Sequence, residues 1–477
     1  MEQRIAVEAA LLGADYDTSG PVEITVSDGV ITRIAPTDTA PRLLAMPPLA
    51  DAHNHGRAMS TTSLGCGGRP LELWLPALAM IPSVDPYLTY ATSFARSLQG
   101  GAGAVMVHLT RPMGPMPLPE EAKIMARAAA DVGISIAFAV SMRDRNPLVY
   151  GDGAPILDAL PPRTRALAEA TWLKPLAPVE DQMALVEAVA DAVADQPHVD
   201  VQYGPNGVQW CSDALLSAIA RRSGETGRRV HMHLLETQPQ RDWADASFPD
   251  GIVGHLQTLG LLSDRLTLAH CVWARPDELA RIAATGARIA VNVSSNLHLF
   301  SGIAPVPQMM EAGVPVAMGL DGCALDEDDD GLRELRLFHL LNHARGFGAG
   351  GMTPTRALTA ACRTGRAALG LGAGGILAEG MAADLMLLDL AALDRDAVMA
   401  VDPRAYLFTR AARSHIAAIY LGGCRVLDQG RPTGVDVDAL QTDLRAALRR
   451  ALPGRADLIA AWPDIEPHIA AHYGGCC

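Results

Sequence analysis

The amino-acid sequence predicts an α/β protein: a (β/α)8 barrel of the TIM type, carrying a small β-sandwich domain built from both chain ends. Three observations predict it. Eight short apolar, strand-like segments recur at fairly even intervals between residues 43 and 320. Most are separated by Ala/Leu/Arg/Glu-rich stretches with helical periodicity, the signature of parallel βα units. Before and after this region the texture changes to short strands and turns. The expected division is residues 1–47 for the N-terminal part of the β domain, 48–372 for the barrel, 373–435 for the C-terminal part of the β domain and 436–477 for a helical tail.

The 477 residues suggest one large barrel plus a smaller domain rather than one simple core. A hydrophobic fraction of 49% with 19% charged residues is that of a well-buried globular chain. Aromatics make up only 4%, so Ala, Leu, Val and Ile must fill the core. A net charge of −14 disfavours nucleic acid and anionic membranes as partners. The eight cysteines form no CxxC pair, so neither a zinc ribbon nor a disulfide framework is signalled. No signal peptide and no membrane span are read, and the expectation is a cytoplasmic protein.

In chain order, Ile24–Val26 and Val30–Ile34 flank Ser27-Asp28-Gly29, a hairpin signal. The run Leu43–Leu49 reads as a buried strand ended by prolines, leading into Asp51-Ala52-His53-Asn54-His55. Strands follow at 103–108, 134–140, 198–203, 229–234, 266–270, 288–293 and 314–320, with helical stretches at 119–131, 179–195, 212–226 and 275–286. Strand-like segments return at 383–388, 416–421 and 426–427. Residues 436–452 read as an amphipathic helix with Leu440, Leu444, Leu448 and Leu452 on one face. The acidic run from Asp326 to Asp330 lacks the spacing of a calcium loop and reads as a solvated loop. The tail ending Gly474-Gly475-Cys476-Cys477 reads as loose.

In such barrels the reactive groups sit at the C-terminal ends of the strands. The first strand delivers His53 and His55, which point the same way because strand side chains alternate. Two converging imidazoles suit a borderline metal such as zinc. The fifth delivers His231 and His233, one able to ligate and the other to support it, and then Glu236, placed to carry protons beside a metal. The sixth delivers His270, able to hydrogen-bond a hydroxide. The eighth delivers Asp321, suited to an anionic ligand. A second metal is not expected: a bridging carboxylated lysine is absent, since the chain's two lysines, Lys123 and Lys174, lie outside the fourth strand. His108, at another strand end, is a weaker candidate.

The stretches Met46–His55, His233-Leu234-Leu235-Glu236-Thr237, Leu268-Ala269-His270-Cys271, Asn296–Val306 and Gly319-Leu320-Asp321-Gly322, with Ala383-Asp384-Leu385, resemble the amidohydrolase superfamily. The likeness is to its mononuclear-metal branch of cytosine deaminase-like and atrazine/melamine-hydrolase-like enzymes, and it covers nearly the whole chain. The resemblance implies one divalent ion, zinc foremost with iron or manganese as alternatives, held by His53, His55, His233 and Asp321. It implies Glu236 as proton shuttle, His270 as the residue orienting hydroxide or substrate, Asp321 as a further proton acceptor, and His231 in a supporting place. The reaction it implies is hydrolytic deamination of an amino-substituted N-heterocycle (a pyrimidine, purine, pterin or triazine). Hydroxide attacks the ring carbon while Glu236 protonates a ring nitrogen and then the leaving amine. The alternative is a hydrolase of the same fold acting on another leaving group or on a cyclic amide. Relatives are often dimers or larger, so a homo-oligomer is expected.

Three positions depart from the family pattern: His298 where relatives often carry Lys, Arg57 after the first histidine pair, and Gly204–Trp210 in place of a His-containing turn. With Trp74, Gln209 and Trp210, Arg57 and His298 are the candidate substrate contacts. A tryptophan would stack on a flat ring and Gln209 would pair with ring edges.

Overall fold

A computed structural model describes residues 2–322, 327–343 and 351–474. Eight parallel strands lie side by side in sequence order: Leu49–Asp51, Ala102–Leu109, Ser135–Met142, Val199–Pro205, Val230–Leu234, Leu266–His270, Arg288–Val291 and Val316–Met318. The two ends of the sheet meet where the Ala52 N–H donates to the Met318 carbonyl (3.0 Å) and the Asp321 N–H to the His53 carbonyl (2.7 Å). The expected helical stretches are helices Leu118–Val132, Val179–Ala192, Asp213–Thr226 and Pro276–Thr285. They cover the outer face of the sheet, so strand residues are buried on both sides, as parallel sheets require.

The β domain is composite, as expected. A seven-stranded sheet runs Arg431–Pro432, Cys424–Asp428, Ile416–Leu421, Leu385–Asp389, Leu43–Met46, Ala9–Leu12, Asp17–Ser19, so four C-terminal strands join three N-terminal ones where Leu385–Asp389 pairs with Leu43–Met46. A three-stranded sheet of Gln3–Val7, Val22–Ser27 and Val30–Pro36 packs on it through Ile5, Val7, Ile24, Ile31, Leu385 and Leu387. The hairpin turns at Asp28 (φ 50°) and Gly29 (φ 78°), the paired positive φ values of a tight primed turn.

Four expectations need correction. The apolar run 43–49 is two strands, not one. Pro47 and Pro48 cannot donate to a ladder, so Leu43–Met46 pairs in the β domain and Leu49–Asp51 starts the barrel. The histidine pair therefore lies just past its strand, in the turn. In the tail helix Val437–Ala451, Leu444 and Leu448 are buried, but Leu452 is exposed because a 3-10 turn, Leu452–Arg455, breaks the periodicity before helix Ala456–His472. The acidic run is not solvated: Asp329 and Asp330 are buried, and Asp330 caps helix Gly331–Leu341 and pairs with Arg333 at 2.9 Å. Asp326 and the last three residues of the tail lie outside the described residues. No described helix is long and apolar enough to cross a membrane.

Candidate metal centre and cavity

Asp51 fixes the start of the site. Its buried carboxylate accepts from the backbone N–H of Leu320 (2.9 Å) and of His53 (3.3 Å), and from the Asn54 side chain (2.7 Å). The turn after the first strand is thereby tied to the turn after the eighth. Two of the histidines then lean on neighbouring strands. His55 Nδ1 lies 2.6 Å from the carbonyl of His108, and His233 Nδ1 lies 2.7 Å from that of Asn206. A carbonyl can only accept, so each ring carries its proton on Nδ1 and presents the Nε2 lone pair. His53 Nδ1 faces His231 Nε2 at 2.7 Å, which leaves its own Nε2 directed at Asp321 Oδ1, 3.5 Å away.

Ligand atoms of His53, His55 and His233 all lie within 4.8 Å of one another, and so do those of His53, His270 and Asp321. His53 Nε2 and Asp321 Oδ1 are buried with no hydrogen-bond partner among the described residues. Such atoms are costly to bury unless something else satisfies them. Imidazole lone pairs and a carboxylate oxygen, gathered in two groups that share His53, are the donor types that suit a divalent cation of the zinc type. Burial would push Asp321 up, but the closeness of His55, His270 and Arg57 holds it below the usual carboxylate range. Burial lowers the histidines, keeping them neutral.

Around this point the backbone is strained. Leu235, His270, Cys271 and Asp321 all have φ between 49° and 74°, a region that costs non-glycine residues on the order of 1–3 kcal/mol each. The kinks aim the side chains beyond strands five, six and eight into the barrel mouth. His270 Nδ1 contacts Asn296 Oδ1 (2.8 Å) and Asn292 Nδ2 (3.2 Å), and Ser295 donates to the second Asp321 oxygen. Glu236 is held by its backbone N–H donating to Gln240 (2.9 Å), with its carboxylate 3.6 Å from His270 Nε2. Burial, then Asp321 and Glu72, push Glu236 well above the usual carboxylate range. Such a carboxyl keeps its proton to higher pH than an exposed one does.

These groups form the floor of a cavity of about 570 Å³. Of the expected substrate contacts, Arg57, Trp74 and Trp210 line it. The Arg57 guanidinium lies over the Trp74 ring at 4.6 Å and donates to the Asp321 carbonyl (3.0 Å). Gln209 and His298 are not on its wall. In the 3-10 turn Val208–Trp210 successive side chains diverge by about 120°, so Trp210 faces the cavity and Gln209 is buried beneath. His298 ends helix Val293–His298 and emerges at the surface, one turn beyond Ser295. His108 is buried among the histidine rings, 4.7 Å from His233.

Sequence reasoning missed several wall residues. Glu72, in helix Leu71–Ala77, accepts from Tyr150 (3.1 Å) and from Thr237. Tyr473, just past helix Ala456–His472, accepts from the Tyr150 N–H (2.9 Å) and closes the cavity from the far end of the chain. Nothing local marks either residue. Arg111 and Arg143 also line the cavity. They stand two residues past the second strand and one past the third, where the same strand-end rule would have found them.

Residues 44–423 match the family model described as the amidohydrolase family. A 5'-deoxyadenosine deaminase from Methanosarcina barkeri is 31% identical over 172 residues, 36% of this chain and 40% of that protein's length. The aligned stretch thus spans well under half of that relative. Among solved structures, an adenosine deaminase from Xanthomonas campestris with bound zinc superposes with a TM-score of 0.76 at 23% identity, covering 94% of this chain and 98% of the other. Atrazine chlorohydrolase TrzN from Arthrobacter aurescens, complexed with zinc, does so with a TM-score of 0.71 at 20% identity, covering 93% and 99%. At these identities the superpositions establish a common fold.

Proposed function

Because this chain belongs to the amidohydrolase family, we propose that it is a metal-dependent hydrolytic deaminase of an amino-substituted N-heterocycle. One observation carries the reading: two groups of metal-capable side chains, His53/His55/His233 and His53/His270/Asp321, share His53 beneath the floor of a cavity, with Glu236 beside His270. In this proposal His53, His55, His233 and Asp321 hold one divalent cation, zinc foremost. When bound, it supplies Lewis acidity that lowers the pKa of water.

The chain's own groups do the rest. Glu236, raised by burial, carries a proton between water, a ring nitrogen and the departing amine. His270, held by Asn292 and Asn296, orients the attacking oxygen. Trp74, backed by Arg57, offers a face for a flat ring. The deaminase names among the relatives support amine as the leaving group. The similarity to a chlorohydrolase keeps a second reading, hydrolysis of another leaving group, as the alternative. A screen of aminated and chlorinated heterocycles with zinc-loaded protein, assayed for ammonia and for chloride, tests both; ammonia from none of them would sink the first.

The proposal places the protein in the cytoplasm as a homo-oligomer, a dimer or larger. Exposed Leu297, Phe300 and Ile303, adjacent in one rim segment, support self-association. Sedimentation at micromolar concentration tests it.

A further inference from the structure

Above its floor the cavity is cationic. Arg57, Arg111, Arg143, Lys174 and Arg455 all line it, while its three carboxylates, Glu72, Glu236 and Asp321, are buried and engaged with neighbouring groups. This runs against the chain's net charge of −14. Arg57 is accounted for by Trp74 and the Asp321 carbonyl. Arg111 makes one bond, to the Ile81 carbonyl at 2.9 Å, and Arg143 makes no side-chain bond to a described residue. None of Arg111, Arg143, Lys174 and Arg455 forms a salt bridge among the described residues.

The most deeply buried guanidinium among the described residues is paired. Buried Arg241 sits between Glu278 (2.9 Å) and Asp245. A half-buried guanidinium without a counter-charge is costly, and Arg111 has Arg455 and Arg57 near it. Burial, and then the like charges of Arg455 and Arg57, press on the Arg111 cation; burial presses on that of Arg143. An anion bound there would supply the missing counter-charge.

We propose that the cavity's outer wall is an oxyanion subsite, in which Arg111, Arg143, Lys174 and Arg455 receive a phosphate or carboxylate carried by the substrate on the side away from its amino-bearing ring. The cavity is large enough for a ring plus such a substituent, since about 570 Å³ is in the range of sites for drug-sized ligands. Arg guanidinium forks suit either oxyanion. The inference rests on the deaminase reading for the ring and adds the charge of the tail.

The test uses the full-length, zinc-loaded protein and three matched probes: adenosine, its 5'-monophosphate and its 5'-carboxylic acid. Binding is read by calorimetry and turnover by ammonia release. We expect at least one anionic probe to bind tenfold or more tighter than adenosine, which assigns phosphate or carboxylate by which one it is. We expect Arg111→Gln and Arg143→Gln each to cut that ratio fivefold or more, and Arg143→Lys to restore part of it. Added salt should weaken the anionic probe selectively. Thermal unfolding of the variants identifies any that fail to fold. Equal binding of all three probes, or a preference that both glutamine variants retain, overturns the subsite. Adenosine turnover without anion preference overturns the subsite and leaves the deaminase reading standing. Tight anion binding without ammonia from any probe supports the subsite and counts against that reading.

Discussion

His231 Nε2 lies 2.7 Å from His53 Nδ1, with the two rings stacked at 16°. If His53 gives its Nε2 lone pair to a cation, its proton sits on Nδ1 and His231 Nε2 must accept it. His231 thus fixes both the tautomer and the angle of the first proposed ligand from a strand four places away in the barrel. Replacing it by Leu should weaken zinc binding roughly 10–100-fold, the usual cost of losing a partner behind a ligand, while Gln should cost less. Competition with a chromophoric chelator measures this, and an unchanged affinity in His231→Leu would refute the role.

Glu236→Gln should keep its metal and lose turnover by roughly 10²–10⁴-fold, because the amide fills the same space and carries no exchangeable acid. Metal content and kcat are measured on the same sample. Full activity would contradict the proton path through this carboxyl.

Removing the cation should cost stability as well as activity. A ligand present at a thousand times its Kd adds about 4 kcal/mol to the folded state. Without it, His53 Nε2 and Asp321 Oδ1 stay buried and unsatisfied. Dialysis against a chelator should lower the melting temperature by several degrees, and zinc should restore it. A melting curve indifferent to zinc would place the ion elsewhere.

Glu334, buried behind Ser294, gives a pH-dependent outcome. Burial raises it from 4.5 to about 7, against hydrogen bonds from the Ser294 N–H and hydroxyl. The folded state therefore keeps this proton to higher pH than the unfolded chain does. Its contribution is fully present below pH 4.5 and is lost as pH rises through about 7. The loss is at most about 3 kcal/mol, at 1.36 kcal/mol per pH unit. Glu334→Gln should match the parent near pH 4.5 and exceed it at pH 8 in urea unfolding. Equal differences at both values would show that the carboxyl is not held protonated.

The barrel was legible because its strands are apolar runs closed by polar side chains, and because helical periodicity fills the gaps. His53, His55, His233, His270 and Asp321 were found by asking which metal-capable residues end a strand. That same filter hid Arg111 and Arg143, which end strands equally but ligate no metal. Glu72, Tyr150, Arg455 and Tyr473 reach the cavity from separate segments, and only tertiary packing brings them there. Gln209 misled because composition cannot show which way a single 3-10 turn will face. The acidic run misled because burial of Asp329 and Asp330 depends on the helix that follows and on Arg333.

The two prolines at 47 and 48 have a consequence for how this protein tolerates change in length. Met46 is fixed in one sheet and Leu49 in another, with only the two prolines between them. One residue gained or lost there would turn both imidazoles away from their partners. The small β domain thus acts as the datum from which the position of the first histidine is measured, and natural variation in loop length should be common around the mouth and nearly forbidden at this seam.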